Sequence, residues 1–114
     1  MNRDPEYLLD ILLSARIAID YLKDQSLEDL ESSVLLQDAV IRRLLIIGEA
    51  ANRISPPTKK RLSTIPWRPI KGMRNRLVHE YDDLDLATVW ETVKMSLPDL
   101  VIELEKIVTS DLNS

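Results

Sequence analysis

Cysteine and phenylalanine are both missing from this 114-residue chain, and glycine occurs only twice. Without cysteine there is no thiolate nucleophile, no iron–sulfur cluster and none of the common structural zinc sites. Two glycines cannot supply tight hairpin turns, a phosphate-cradling loop or a flexible linker, which counts against an all-β sandwich, a dinucleotide fold and a P-loop. No apolar run approaches the roughly 18 residues of a membrane span, and the first residues lack the apolar core of a signal peptide. A cytoplasmic protein with no membrane attachment is therefore expected. What is present is 45% hydrophobic and 30% charged. That composition fits one domain over residues 1–114, large enough to bury about two-thirds of its unfolded surface without a staple.

The net charge of -4 conceals a strong asymmetry. Between Arg53 and His79 stand Arg53, Lys59, Lys60, Arg61, Arg68, Lys71, Arg74 and Arg76, and no acid at all. Such segregation creates a local positive field that the whole-chain balance hides. Two readings follow: a stripe for an anionic partner, or a stripe neutralised by the acids of its own chain.

The apolar spacing is helical throughout. Asp4-Pro5 reads as a helix start, with Asp4 as the cap, and Leu8, Ile11, Leu12, Ala15, Ile19 and Leu22 form a wide stripe to about Asp24. Leu9, Leu13, Ile17 and Tyr21 form a second stripe, so this helix is expected to pack on two sides. Ser26-Leu27-Glu28-Asp29 has the form of a capping box. Residues 35–54 read as a long helix burying Leu36, Val40, Leu44, Ile47, Ala51 and Ile54, and Gly48 within it predicts close packing. Ser55-Pro56 caps a short helix to about Leu62. Pro66 and Pro69 frame an extended link around Trp67, followed by a helix from about Ile70 to Val78. Asp85 caps a last helix with Leu86, Val89, Trp90, Val93, Leu97, Leu100, Val101, Leu104 and Ile107 inward, kinked by Pro98. The expected fold is an all-α, up-and-down bundle of four to five helices.

Chemistry concentrates in Gly72-Met73-Arg74-Asn75-Arg76-Leu77-Val78-His79-Glu80-Tyr81, which holds the only histidine. RNA carries its own nucleophile, the ribose 2′-hydroxyl. Cleavage without a metal then needs a base for that proton, an acid for the leaving oxygen, and cations around the phosphorane. Histidine suits the proton transfers, arginine forks suit the phosphate, and Asn75 can orient either. Arg68, Lys71 and Arg76 are candidate backbone contacts. Arg76 and His79 share a helical face, whereas Arg74 stands about 140° from His79 on a regular helix. The two converge if the helix ends or deforms near His79, or if a second molecule completes the site. One histidine cannot be acid and base in one concerted step, so a symmetric dimer with the motif at its seam is expected. Neither metal nor cofactor is called for. The Asp82, Asp83 and Asp85 group reads as helix-start chemistry, and Trp67, Trp90, Met73 and Met95 as packing residues.

Arg74-Asn75-Arg76-Leu77-Val78-His79-Glu80-Tyr81 resembles the Arg-x4-His-x-Tyr signature of HepT-like proteins of the HEPN superfamily. The likeness runs in order through Tyr7-Leu8-Leu9-Asp10-Ile11-Leu12, Asp38-Ala39-Val40-Ile41-Arg42-Arg43-Leu44, Ile47-Gly48-Glu49-Ala50-Ala51, Ile65-Pro66-Trp67 and Val89-Trp90-Glu91-Thr92-Val93. The resemblance implies a homodimeric HEPN-like bundle acting as a metal-independent ribonuclease, the toxin half of a type VII-like toxin–antitoxin pair. It implies an MntA-like minimal nucleotidyltransferase as partner, Arg74 and His79 as catalytic residues with Asn75 beside them, and Tyr81 as the position silenced by AMP transfer. Added charge and bulk two residues from His79 would fill space meant for an RNA phosphate. The alternative function is a non-catalytic helical module that binds a nucleotidyltransferase and presents nucleotide or substrate to it.

Overall fold

The computed structural model describes residues 2–79 and 83–112, with side chains to residue 108. Seven α-helices occur among them: α1 (Asp4–Leu22), α2 (Leu27–Ser32), α3 (Val34–Arg53), α4 (Pro56–Arg61), α5 (Trp67–His79), α6 (Leu86–Glu91) and α7 (Leu97–Leu112). A π-helical turn, Thr92–Ser96, joins the last two into one long rod. Counted as rods, α1, α3, α5 and α6–α7 make the all-α bundle that the spacing predicts, with α2 and α4 as short connectors.

Helix starts follow local chemistry where the cap lies close in sequence. The Ser26 hydroxyl accepts the Asp29 amide, and the Asp29 carboxylate accepts the Ser26 amide, closing the predicted box at α2. Ser33 caps α3 through the Leu36 amide, and Asp85 caps α6 through the Ala87 amide. Each such cap is worth about 1 kcal/mol.

Asp4 does something else. The α1 N-cap is Arg3, and Asn2 accepts the Asp4 amide. The Asp4 carboxylate is buried and crosses to the start of α4, where it accepts the Ser55 amide at 3.1 Å, the Ser55 hydroxyl at 2.6 Å and the Thr58 hydroxyl. Hydrogen bonds from Ser55, then from Thr58, hold its pKa below the usual carboxylate value against the opposing effect of desolvation. Two helix starts are thus tied by one buried carboxylate, and Ser55, rather than capping α4 with its own side chain, donates to Asp4.

The Pro69 expectation also changes. Pro69 lies inside α5, whose first turn begins at Trp67. A first-turn amide has no intrahelical acceptor, so proline costs no hydrogen bond there. Pro98 sits in the first turn of α7, directly after the π-helical turn Thr92–Ser96, and a widened turn accommodates the missing amide and the ring.

The core lies between α1, α3 and the α6–α7 rod. Fully buried Ile11, Leu22, Val40, Val89, Val93 and Leu104 sit at its centre. Of the predicted α3 face, Val40, Leu44, Ile47, Ala51 and Ile54 are buried and Leu36 is half-buried. Lys94 reaches back from the π turn to donate to the Leu22 carbonyl at the end of α1, and its ammonium stands 4.8 Å from the Trp90 ring centre. The Leu22 carbonyl also accepts the Gln25 amide, and a cation at this helix end complements the helix dipole. The second α1 stripe is not packed: Leu9, Leu13, Ile17 and Tyr21 remain 36–45% exposed. Met95 is likewise 70% exposed rather than filling a gap. No helix among the described residues is long and apolar enough to cross a membrane.

Candidate active site on helix α5

Helix α5 enters through Trp67, whose indole Nε1–H donates to the Lys59 and Leu62 carbonyls at 3.2 and 3.1 Å, pinning it to the end of α4. Ile65 is buried just before it. Leu77 is the buried anchor near its far end, with Ile70 and Met73 half-buried between. Those positions fix which face looks inward, and the remaining face carries Arg68, Lys71, Asn75, Arg76 and His79, all exposed.

Positions 68, 71, 75 and 79 follow helical spacing, so Arg68, Lys71, Asn75 and His79 form one outward ridge. Arg74 and Arg76 flank it on opposite sides. Arg74 is half-buried against α3, its Nε sealed from solvent without a hydrogen-bond partner, and its Nη1 donates to Asn75 Oδ1 at 3.3 Å. Arg76 lines a cleft of about 260 Å³ together with Met73, Asp83, Asp85 and Thr88. The two acids in that cleft lower the positive field on the Arg76 side relative to the Arg74 side.

Helix α5 is regular up to His79, its last helical residue. Arg74 and His79 therefore stand on different faces, about 140° apart in rotation and about 7.5 Å apart in rise. Of the expected residues, the fold groups His79 with Asn75, Lys71 and Arg68, joins Arg74 to Asn75, and separates Arg76 into its own cleft. Tyr81, with Glu80 and Asp82, lies outside the described residues.

Among the described residues, the ion pairs Arg3–Glu6, Arg16–Glu105 and Glu103–Lys106 lie outside the basic segment. No group of three or more His, Cys, Asp or Glu side chains is arranged for a metal ion among the described residues. Asp85 instead accepts the Ala87 amide and the Thr88 hydroxyl as a helix cap.

One feature beside the site escaped sequence reasoning. An apolar groove of about 280 Å³ runs between α3, α5 and the π turn, with Ile47, Pro69, Ile70, Met73, Thr92 and Ser96 among its lining. Pro98 was its only sequence signal, since the π turn that brings Thr92 and Ser96 to the groove precedes that proline.

Comparison with known proteins places the chain in a family. The profile of the family described as Ribonuclease HepT-like matches residues 11–107. A protein of Methanocaldococcus jannaschii named as an RNase is 37% identical over 102 residues, covering 90% of this chain and 88% of the relative. A protein of Caldanaerobacter subterraneus, also named as an RNase, is 33% identical over 111 residues, covering 97% of this chain and 99% of the relative. A protein of Thermococcus cleftensis named as a ribonuclease HepT is 36% identical over 102 residues, covering 90% and 93%. No solved structure matches.

Proposed function

Starting from the fact that this chain belongs to the HepT-like ribonuclease family, we propose that it is a metal-independent endoribonuclease whose site is completed by a second copy of itself. The observation that carries this reading is the regularity of α5 through His79. Because Arg74 and His79 diverge on one helix, a phosphate held by both needs the α5 of another protomer to supply the missing group. A twofold axis near the outward ridge does so twice over, giving two imidazoles and two Arg74 forks around one cleft.

In that cleft one His79 takes the proton of the ribose 2′-hydroxyl while the second protonates the leaving 5′-oxygen. The Arg74 forks donate to the non-bridging oxygens as charge builds on the phosphorane, where fixed cations stabilise the transition state most. The contact from Arg74 Nη1 to Asn75 Oδ1 spends one donor on orientation and leaves the rest for phosphate. Arg68 and Lys71 extend the positive ridge along a bound strand.

The same reading makes the protein the toxin of a toxin–antitoxin pair, with an MntA-like nucleotidyltransferase silencing it by AMP transfer to Tyr81. Anionic bulk two residues from His79 would compete with substrate phosphate for the forks.

The test is cleavage of labelled RNA in excess EDTA, with molecular mass measured by light scattering on the same preparation. Wild type is expected to be a dimer and to cleave. His79→Ala is expected to remain a dimer and lose at least about 100-fold in rate, the usual scale for losing acid–base catalysis. A monomer that cleaves at full rate, or a His79→Ala dimer as active as wild type, contradicts the proposal.

A further inference from the structure

Helices α3 and α5 meet at one point where no side chain intervenes. Gly48 is buried in the interior of α3, a position where glycine is about 1 kcal/mol worse than alanine for helix formation. A Cβ placed on Gly48 would overlap the Cβ of Arg74 and stand 2.6 Å from its Cγ and 3.4 Å from its Cα. The obstacle is the root of the side chain, whose Cβ is fixed by the α5 backbone, so rotating the arginine cannot relieve it. Gly72, the other glycine, has no atom within 4 Å of the same hypothetical carbon. Helix formation alone would therefore favour alanine at both positions, and packing opposes it only at Gly48.

We infer that Gly48 is a positioning residue for the ribonuclease site: the notch it leaves in α3 seats the stem of Arg74 and thereby sets where the guanidinium stands. This inference rests on the role proposed for Arg74 and adds how that role is secured. With its stem in the notch, Arg74 keeps its Nε sealed from solvent and presents its terminal amino groups outward, one of them already engaged by Asn75. An arginine held in this way pays its conformational entropy on folding rather than on binding substrate. A methyl group at position 48 pushes α5 outward at Arg74 by the distance needed to restore van der Waals contact. Displacements of about 1 Å in a catalytic group cost on the order of 100-fold in rate.

The experiment is a double-mutant cycle on positions 48 and 74, read as single-turnover cleavage of a labelled RNA in EDTA, with helix content and melting temperature measured on each variant. Gly48→Ala is expected to stay folded, to slow the cleavage step by about 100-fold and to change the half-saturating RNA concentration by less than about three-fold. In the Arg74→Gly background, where the overlapping Cβ is gone, the Gly48→Ala change is expected to remove nothing further. Equal proportional losses in both backgrounds, or Gly48→Ala cleavage within about two-fold of wild type, overturn the inference. If Gly48→Ala does not fold, Arg74→Gly in the same chain is expected to restore folding, because only loss of that Cβ removes the overlap, and failure to restore it also overturns the inference. Arg74→Ala cleaving as well as wild type counts against the site itself, whereas an impaired Arg74→Ala beside an unimpaired Gly48→Ala counts against the positioning role alone.

Discussion

Helices α3 and α5 pack against each other yet are built for opposite purposes. Seven of the 20 residues of α3 are buried, from Val40 to Ala51, whereas α5 buries only Leu77 among its 13. The difference separates a helix that organises the core from one that presents exposed cations and an imidazole. α3 spends its sequence on a hydrophobic face that organises the core, worth roughly 1.5–3 kcal/mol for each large side chain buried. α5 spends its sequence on exposed cations and an imidazole, and relies on few anchors: Leu77, the indole of Trp67 and the close approach at Gly48. Functional side chains on such a helix can be exchanged at little cost in stability, while its anchors cannot.

That contrast can be broken most forcefully at Leu77. Leu77→Ala is expected to cost about 2–5 kcal/mol, the range for a fully buried leucine, and to lower the melting temperature measured by circular dichroism. Lys71→Ala, one turn and a half away on the exposed ridge, is expected to leave stability within about 0.5 kcal/mol while reducing the salt dependence of RNA binding, since it removes a backbone contact without touching the core. Similar melting temperatures for the two variants would erase the distinction between anchor and ridge.

A second, smaller effect separates the core end of the molecule from the site by pH. Asp4 has a lowered pKa in the folded chain because Ser55 and Thr58 donate to its carboxylate. The unfolded state therefore takes up a proton first as the solution is acidified. The stabilisation is fully present above the ordinary aspartate value of about 3.9 and is lost as pH falls through the lower folded value. Melting temperatures of wild type and Asp4→Asn between pH 6 and pH 2 are expected to differ most at the neutral end and to converge in acid. Parallel curves would remove Asp4 from the account of stability.

The smallest effect sharpens the comparison between the two glycines. Gly72→Ala introduces a methyl group into open space on α5 and is expected to raise stability by about 0.5–1 kcal/mol through helix propensity alone. A decrease in melting temperature would show that α5 is packed more tightly at Gly72 than its surroundings indicate.

Much of this architecture was legible because its causes are local. The Ser26–Asp29 box, the Asp85 cap and the period of the α3 face all act within a few residues, so spacing and residue type suffice to find them. Asp4 misled sequence reading because its partners lie 51 and 54 residues away, and no local pattern distinguishes a capping aspartate from one that crosses to another helix. Pro69 reads as part of an extended link, yet it occupies the first turn of α5, where a missing amide costs little; Pro98 lies directly after a π-helical turn in a continuous rod. The stripe of Leu9, Leu13, Ile17 and Tyr21 has the same periodicity as a packed face, and only the course of the neighbouring helices shows that the described residues leave it partly exposed. At the site, the grouping of Arg68, Lys71, Asn75 and His79 follows from helical spacing once α5 is known to start at Trp67. The seating of Arg74 against Gly48 does not, because 26 positions separate them and the approach depends on how two helices cross.

The account turns on chemistry in which RNA supplies the nucleophile and two copies of α5 supply the groups around it. The most direct test compares a strand of RNA with the same strand carrying one 2′-deoxyribose at the mapped cut position, both in excess EDTA. Cleavage at that position is expected to disappear on loss of the single hydroxyl and to leave a 2′,3′-cyclic phosphate end on the unmodified strand. Continued cleavage of the 2′-deoxy strand at the same bond, or cleavage that appears only when a divalent ion is restored, would contradict it.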